Sequence, residues 1–318
     1  MKKYRVVIVG GGPAGAACAG KLIKAGLEPL VVDKQTFPRQ KICAGWLTPG
    51  AFESLGVRPE EYPADLSVFP YLKVYLHGFP IRRRGKQYAI RRLEFDHWLL
   101  ERSGAEVIHH EVKSIQPCER GYCLDGQIEA EILVGAGGTH CPVYRRFYAG
   151  TQPRSGAKIV ALEDEFQHDW TDQVCRLWFF ENGLPGYAWY VPKKGGFVNI
   201  GVGGNAEILQ QRGATIQGQW EYLVAKIRRM GLVEKDNLNP RGYVYHLRGN
   251  DFKAPADNLY LIGDAAGLAT LDMGEGIGPA ILSGLLAADA ILGCSPLRFD
   301  AVPRYSLLPP WLRWLARG

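Results

Sequence analysis

The stretch from Tyr4 to Asp33 constrains the fold of this 318-residue chain more than any other part. Val6, Val7, Ile8 and Val9 form a continuous apolar run, as in a parallel strand buried on both faces. Gly10, Gly12 and Gly15 follow in G-x-G-x-x-G spacing, and Ala14 to Ala25 reads as a helix with Pro13 in its first turn. Leu30, Val31 and Val32 make a second strand that closes on Asp33. Gly10 permits the tight turn, Gly12 lets a pyrophosphate approach the backbone, and Gly15 lets the helix pack on the sheet. The helix N-terminus offers free N–H groups and partial positive charge to phosphates. Asp33, followed by Lys34, is placed to hydrogen-bond ribose hydroxyls. A turn made only for close packing would not need an acid at the end of the next strand, so the unit predicts a dinucleotide site.

The rest of the composition excludes more than it assigns. The chain is 47% apolar, ordinary for a globular enzyme, and its net charge of +6 is mild and spread out, which argues against nucleic acid. The first strand begins almost at Met1, so no signal peptide is expected, and no apolar run is long enough to span a membrane. Cys18, Cys43, Cys118, Cys123, Cys141, Cys175 and Cys294 are scattered, with no C-x-x-C pair, which suits reduced thiols in a cytoplasm. The histidines form no metal-ligand spacing, and no metal is expected.

Farther along, a short helix is predicted from Thr48 or Pro49 to Leu55, and strands over Leu72 to Leu76 and Lys86 to Ile90. Arg82-Arg83-Arg84 between them reads as a solvated hairpin tip, with a site for an acidic partner or lipid headgroup as the alternative. Leu93, Phe95, Trp98, Leu99 and Leu100 stripe a helix ending near Gly104. From Ala157 to Val202 the apolar period becomes two, as in antiparallel strands. Ile208 to Met230 reads as a helix broken or kinked near Gly213 and Gly218. The predicted class is α/β: a Rossmann-like dinucleotide-binding domain, identified below as FAD-binding from its late segment Gly263-Asp264 and Gly274 to Gly278, with a parallel βαβ sheet and an interleaved antiparallel-sheet substrate domain. The expected boundaries are 1–65, 92–150 and 251–318 for the first, and 66–91 and 151–250 for the second.

The choice of dinucleotide comes from the late segment. Leu259 to Ile262 is an apolar strand running into Gly263-Asp264, where an Asp can bind ribityl hydroxyls of a flavin. Gly274, Gly276 and Gly278 let the backbone approach a flat ring. The helix beginning near Ile277 aims its positive end at the flavin edge that becomes anionic on reduction. Following the first glycine turn, these residues favour FAD.

The chain resembles the para-hydroxybenzoate hydroxylase-like FAD-dependent oxidoreductases, and within them the geranylgeranyl reductase family. Lys41-Ile-Cys-Ala-Gly45 with Thr48 to Gly56 resembles that family's cysteine loop and following helix. Arg92-Leu-Glu-Phe-Asp96 resembles its Arg-x-x-Phe-Asp helix, and Tyr187-Ala-Trp-Tyr-Val-Pro-Lys193 its Tyr-x-Trp-x-Phe-Pro-Lys motif, with Val191 for Phe. Gly263-Asp264-Ala-Ala-Gly267 and Gly274-Glu-Gly-Ile277 resemble its second flavin motif. By this resemblance Ala44, Gly45 and Arg92 join the cofactor site. Two departures stand out: Gly137 occupies a position where an Asp is usual, which bears on direct NAD(P)H use, and the chain ends early.

The resemblance implies reduction of isolated C=C bonds in a prenyl lipid. An unconjugated alkene accepts hydride poorly, so a proton must arrive at the other carbon, and Cys43 is the residue to test as its donor; the rival reading is a small buried core cysteine. Tyr187 and Trp189 share a strand face and either wall an apolar channel or fill a sheet–sheet core. Lys193 is assigned to a substrate headgroup, against the commoner role of an exposed strand-end lysine. The electron donor is NAD(P)H or a small redox protein. The tail carries Trp311, Trp314 and Leu315 against Arg313 and Arg317, which reads as docking on the protein's own surface or as peripheral contact with the inner membrane face. The competing functions are a flavin monooxygenase or halogenase using O2, and a non-catalytic flavin- or lipid-binding protein.

Overall fold

The computed structural model describes residues 2–170, 172–254 and 256–308. The aromatic tail falls outside the described residues.

Strand β1 (Lys2–Val9) leads through the glycine turn into helix α1 (Pro13–Lys24) and back to strand β2 (Leu30–Asp33), parallel to β1 with Ile8 opposite Val31. Strand β3 (Trp46–Leu47) and helix α2 (Pro49–Leu55) follow. A long hairpin, β4 (Ser67–Leu76) and β5 (Phe79–Ala89), precedes helix α3 (Arg92–Ser103). The hairpin tip is His77-Gly78, with φ of 48° and 87°. Arg82-Arg83-Arg84 therefore lies within β5 and not at the tip as expected. The reason is local: His77-Gly78 satisfies a two-residue turn with positive φ at both positions, which three arginines cannot.

Next come β6 (Glu106–His109), β7 (Ile115–Cys118), β8 (Gly121–Leu124), β9 (Ile128–Gly135) and helix α4 (Pro142–Phe147). The chain then builds β10 (Lys158–Gln167), β11 (Arg176–Phe179), β12 (Gly186–Lys193) and β13 (Phe197–Asn205). Helices α5 (Ala206–Gln211) and α6 (Ile216–Arg229) are separated at Gly213, φ +61°. Gly218 does not break α6: it sits in the first turn, where its N–H donates to the Thr215 cap. Strands β14 (Arg241–His246) and β15 (Leu259–Leu261) and helix α7 (Ile277–Ile291) complete the described elements.

The strands form two sheets. One runs β6-β2-β1-β9-β8-β7, with β15 parallel to the far half of β9. Val6 and Ile8 face a core shared with α1, α3 and α7, whereas Val7 and Val9 face a second core with Leu124, Val143 and Leu261. The unbroken apolar run of β1 reflects this two-sided burial. The other sheet runs β14-β10-β13-β12-β11-β4-β5-β3 and is antiparallel except for β11 beside β4. One of its faces packs on α6 through Trp220, Leu223 and Ile227, each nearly fully buried; at roughly 1.5–3 kcal/mol per side chain, this contact anchors the helix. The opposite face looks toward the glycine turns of the first sheet.

Candidate active site

A cavity of about 400 Å³ opens where the two sheets meet. Gly10, Gly12, Pro13, Ala14, Asp33 and Lys34 line one part of it, and Asp264, Gly274, Gly276 and Ile277 line another. Residues more than 200 positions apart are joined because β15 lies beside β9, α1 packs on α7, and Gly284 allows close approach. A Cβ at Gly284 would stand 2.2 Å from the Ala14 carbonyl oxygen.

The first glycine turn fits an extended dianionic group. A Cβ at Gly15 would come within 1.9 Å of the Gly10 carbonyl oxygen, so only glycine lets α1 start here. The Asp33 carboxylate accepts from the Gly11 N–H at 2.8 Å and the Gln35 N–H at 2.9 Å, which fixes it at the cavity edge. Arg39 reaches over the same turn, with Nη2 3.4 Å from where a Cβ of Gly12 would be. Its buried Nη1 lies 3.3 Å from Asp96 but has no hydrogen-bond partner. A helix N-terminus and an incompletely satisfied guanidinium, converging on one opening, suit a pyrophosphate.

Arg92 lines the cavity and is buried against Asp96 by two bonds of 2.7 Å. Burial alone would lower its pKa, but Asp96, with a smaller contribution from Cys43, holds it above the usual arginine value. Lys41 lies 3.0 Å from the Tyr243 ring centre, and burial brings it down to about 8 against the pull of Asp264.

Cys43 lines the cavity from a clamped loop. Its N–H donates to Glu163 at 2.5 Å, its carbonyl accepts from Asn199 at 3.5 Å, and its Sγ accepts the Gly45 N–H at 3.4 Å. Burial pushes Glu163 up to about 7, with Lys193 and the Cys43 N–H opposing. Glu275, at the entry to α7, is also pushed to about 7 by burial, although it accepts the Gly278 N–H at 2.6 Å.

Tyr187 and Trp189 also line the cavity, on one face of β12. Trp189 fits because Gly201 lies beside it on β13: a Cβ there would be 2.2 Å from the indole. The indole N–H donates to Asn199 at 2.7 Å, and the Tyr187 hydroxyl donates to the Met273 carbonyl at 2.6 Å. Burial raises Tyr187 well above the ordinary tyrosine value.

The structure thus gathers Cys43, Ala44, Arg92, Tyr187 and Trp189 with both glycine turns. Gly15, Gly45, Gly263 and Lys193 are not in the lining. The three glycines sit at close contacts: a Cβ at Gly45 would be 2.1 Å from the Ile90 carbonyl oxygen, and one at Gly263 3.0 Å from the Ala14 Cβ. Lys193 is not an exposed strand end; it is 1% exposed and ion-paired with Glu165. Gly137 packs on Cys141, whose Cα would be 3.2 Å from an added Cβ. Sequence reasoning missed Arg39, Lys41, Glu163, Tyr243 and Tyr245 as lining residues. For the strand residues the signal was alternation, since Ala161 with Glu163, and Tyr243 with Tyr245, share strand faces, and Lys41 opens the cysteine-loop motif.

Comparison with known proteins agrees with this geometry. A family model described as an FAD binding domain matches residues 3–58. An uncharacterized protein of Methanosarcina barkeri is 32% identical over 329 residues, spanning all of this chain and 81% of its own length. Digeranylgeranylglycerophospholipid reductase 3 of Methanosphaera stadtmanae is 26% identical over 90% of this chain and 77% of itself. Menaquinone reductase of Mycolicibacterium smegmatis is 28% identical over 89% and 75%. Among solved structures, a geranylgeranyl bacteriochlorophyll reductase-like protein of Thermoplasma acidophilum superposes with TM-score 0.78 at 21% identity, covering 99% of this chain and 82% of its own. A flavin-dependent halogenase superposes with TM-score 0.69 at 21% identity, covering 92% and 58%.

Proposed function

We propose a function from one premise: the chain belongs to the geranylgeranyl reductase-like family of FAD-dependent oxidoreductases, and its cofactor is FAD. The reaction we infer is reduction of isolated C=C bonds in a prenyl lipid. The observation that carries it is that one cavity is lined by both glycine turns, by Cys43 and by the aromatic pair Tyr187 and Trp189.

In this reading Gly10, Gly12, Pro13, Ala14 and Arg39 hold the pyrophosphate and Asp33 the ribose. Asp264, Gly274, Gly276 and Ile277 border the flavin. Reduced FAD supplies hydride. Tyr187 and Trp189 give the alkene a dry apolar wall, and the Tyr187 proton is engaged by Met273. Cys43 Sγ delivers the proton that an unconjugated alkene needs, from a loop held still by Glu163 and Asn199. We assign residues 1–65, 92–150 and 251–318 to cofactor binding, and 66–91 and 151–250 to substrate binding. Lys193, on the same face of β12, ends that wall beside the Gly45 loop, where it is ion-paired with Glu165.

The test is anaerobic turnover. FAD-loaded protein reduced with dithionite is offered a panel of prenyl lipids, and products are read by mass. The expected result is a gain of two hydrogens per reduced double bond. No product from any prenyl lipid would remove the reading. Product only when O2 is admitted would move the chain to the oxygen-using flavin enzymes. NADH, NADPH and a redox protein are then compared as electron donors in place of dithionite.

A further inference from the structure

We propose that the outer end of the second sheet, built by Leu76, Phe79, Ile81 and Phe180 among the cations of β4 and β5, docks on an anionic lipid bilayer. This deepens the lipid-substrate reading and rests on it for its purpose, while the surface itself is argued from register, exposure and charge.

The register places an apolar band across the sheet. Trp189 pairs with Leu177, Leu177 with Val74, and Val74 with Ile81; one step along, Tyr187 pairs with Phe179, Phe179 with Leu76, and Leu76 with Phe79. Residues paired directly across strands share a face, so the wall of the cavity continues outward over three strand spacings, roughly 14 Å. Exposure rises along it, from 5% at Trp189 to 40% at Leu76, 48% at Ile81 and 74% at Phe79. Phe180 joins the outer end, 45% exposed and stacked on His77 at 5.6 Å.

Within the hairpin itself the charge has one sign. Residues 67–90 contain Lys73, Arg82, Arg83, Arg84 and Lys86 and no Asp or Glu. Strand β3 covers only Tyr88 and Ala89 of β5, so among the described residues the rest of β5 is a sheet edge. Arginines on an edge hinder pairing with another chain, which accounts for the basic run alone. It does not account for Phe79 and Ile81, which would favour such pairing. An apolar hairpin tip beside Arg82, Arg83 and Arg84, which have no acidic partner among the described residues, matches an anionic bilayer: the apolar side chains enter the acyl boundary and the guanidinium groups meet phosphates.

The test is flotation of the FAD-loaded full chain with phosphatidylcholine vesicles, with and without about one third phosphatidylglycerol. Binding is expected only to the anionic vesicles. Replacing Arg82, Arg83 and Arg84 together by Gln should weaken it about 100-fold. Phe79→Ser with Ile81→Ser should abolish the binding that survives high salt. Both variants alter exposed positions, so flavin content and Tm serve as folding controls. Wild-type protein that stays unbound, or variants that bind as tightly, would overturn the proposal. So would a concentration-dependent dimer that Phe79→Ser dissolves, which would assign the surface to a second copy. The assay contains no alkene: vesicle binding without prenyl reduction would sink the function and leave the surface, and reduction of detergent-dispersed prenyl lipid without vesicle binding would do the reverse.

Discussion

Cys43 lines the cavity, held by its backbone and by the Gly45 N–H that its Sγ accepts. Cys43→Ser keeps every backbone contact of the loop but replaces the thiol with a much weaker acid. It should bind FAD normally and lose about 10²-fold or more of alkene reduction; wild-type rates would take Cys43 out of the chemistry. Glu163 titrates near 7 in the fold and about 4.3 in an unfolded chain. The folded state therefore holds the extra proton, and the stability from this group, complete below about pH 4.3, is lost as pH rises through 7. Tm at saturating FAD should fall between about pH 5 and about pH 7.5, and Glu163→Gln, which can still accept the Cys43 N–H, should flatten that fall. Glu275 contributes with the same sign, so the slope should shrink and not vanish. Cys43 was legible from its motif. Glu163 was not, because its partner is 120 residues away and strand alternation gives no sign of which acids face a cavity.

At the scale of elements, glycines decide which surfaces meet. Gly15→Val would drive a side chain into the Gly10 carbonyl, and the purified variant should carry no flavin absorbance after gel filtration; full occupancy would refute the packing role. Gly201→Ala would press on the Trp189 indole, costing about 1–3 kcal/mol by overpacking, or about 5 °C in Tm. The βαβ unit could be read from sequence because spacing, period and charge agree within about 30 residues. The hairpin tip was misplaced because three consecutive arginines look solvated whether they lie in a turn or on an edge strand. The helix at Gly218 was misjudged because its first-turn cap, Thr215, outweighs the propensity of one glycine.

For the whole molecule, FAD is expected to act as a structural ligand that joins distant segments. At 100 times its Kd it should add about 2.7 kcal/mol, seen as a Tm rise of roughly 5–10 °C over flavin-free protein. An unchanged Tm would mean that the cavity closes without it. The two-sheet class was visible in the switch of apolar period near Ala157. The return of the chain to the first sheet was visible only through the second glycine motif, since pairing of β15 with β9 is a long-range contact with no local signature.

The close fit of Gly284 on Ala14 also has a consequence for biosynthesis. A growing polypeptide makes its phosphate-binding turn long before α7, and that turn lacks its opposite wall until α7 has left the ribosome. At ~5–20 residues per second this is a wait of roughly 15 to 60 s, during which the first βαβ unit exposes the face that α7 will cover. Capture of the cofactor thus waits on α7, and chaperone contact with the nascent βαβ unit should persist until α7 has emerged.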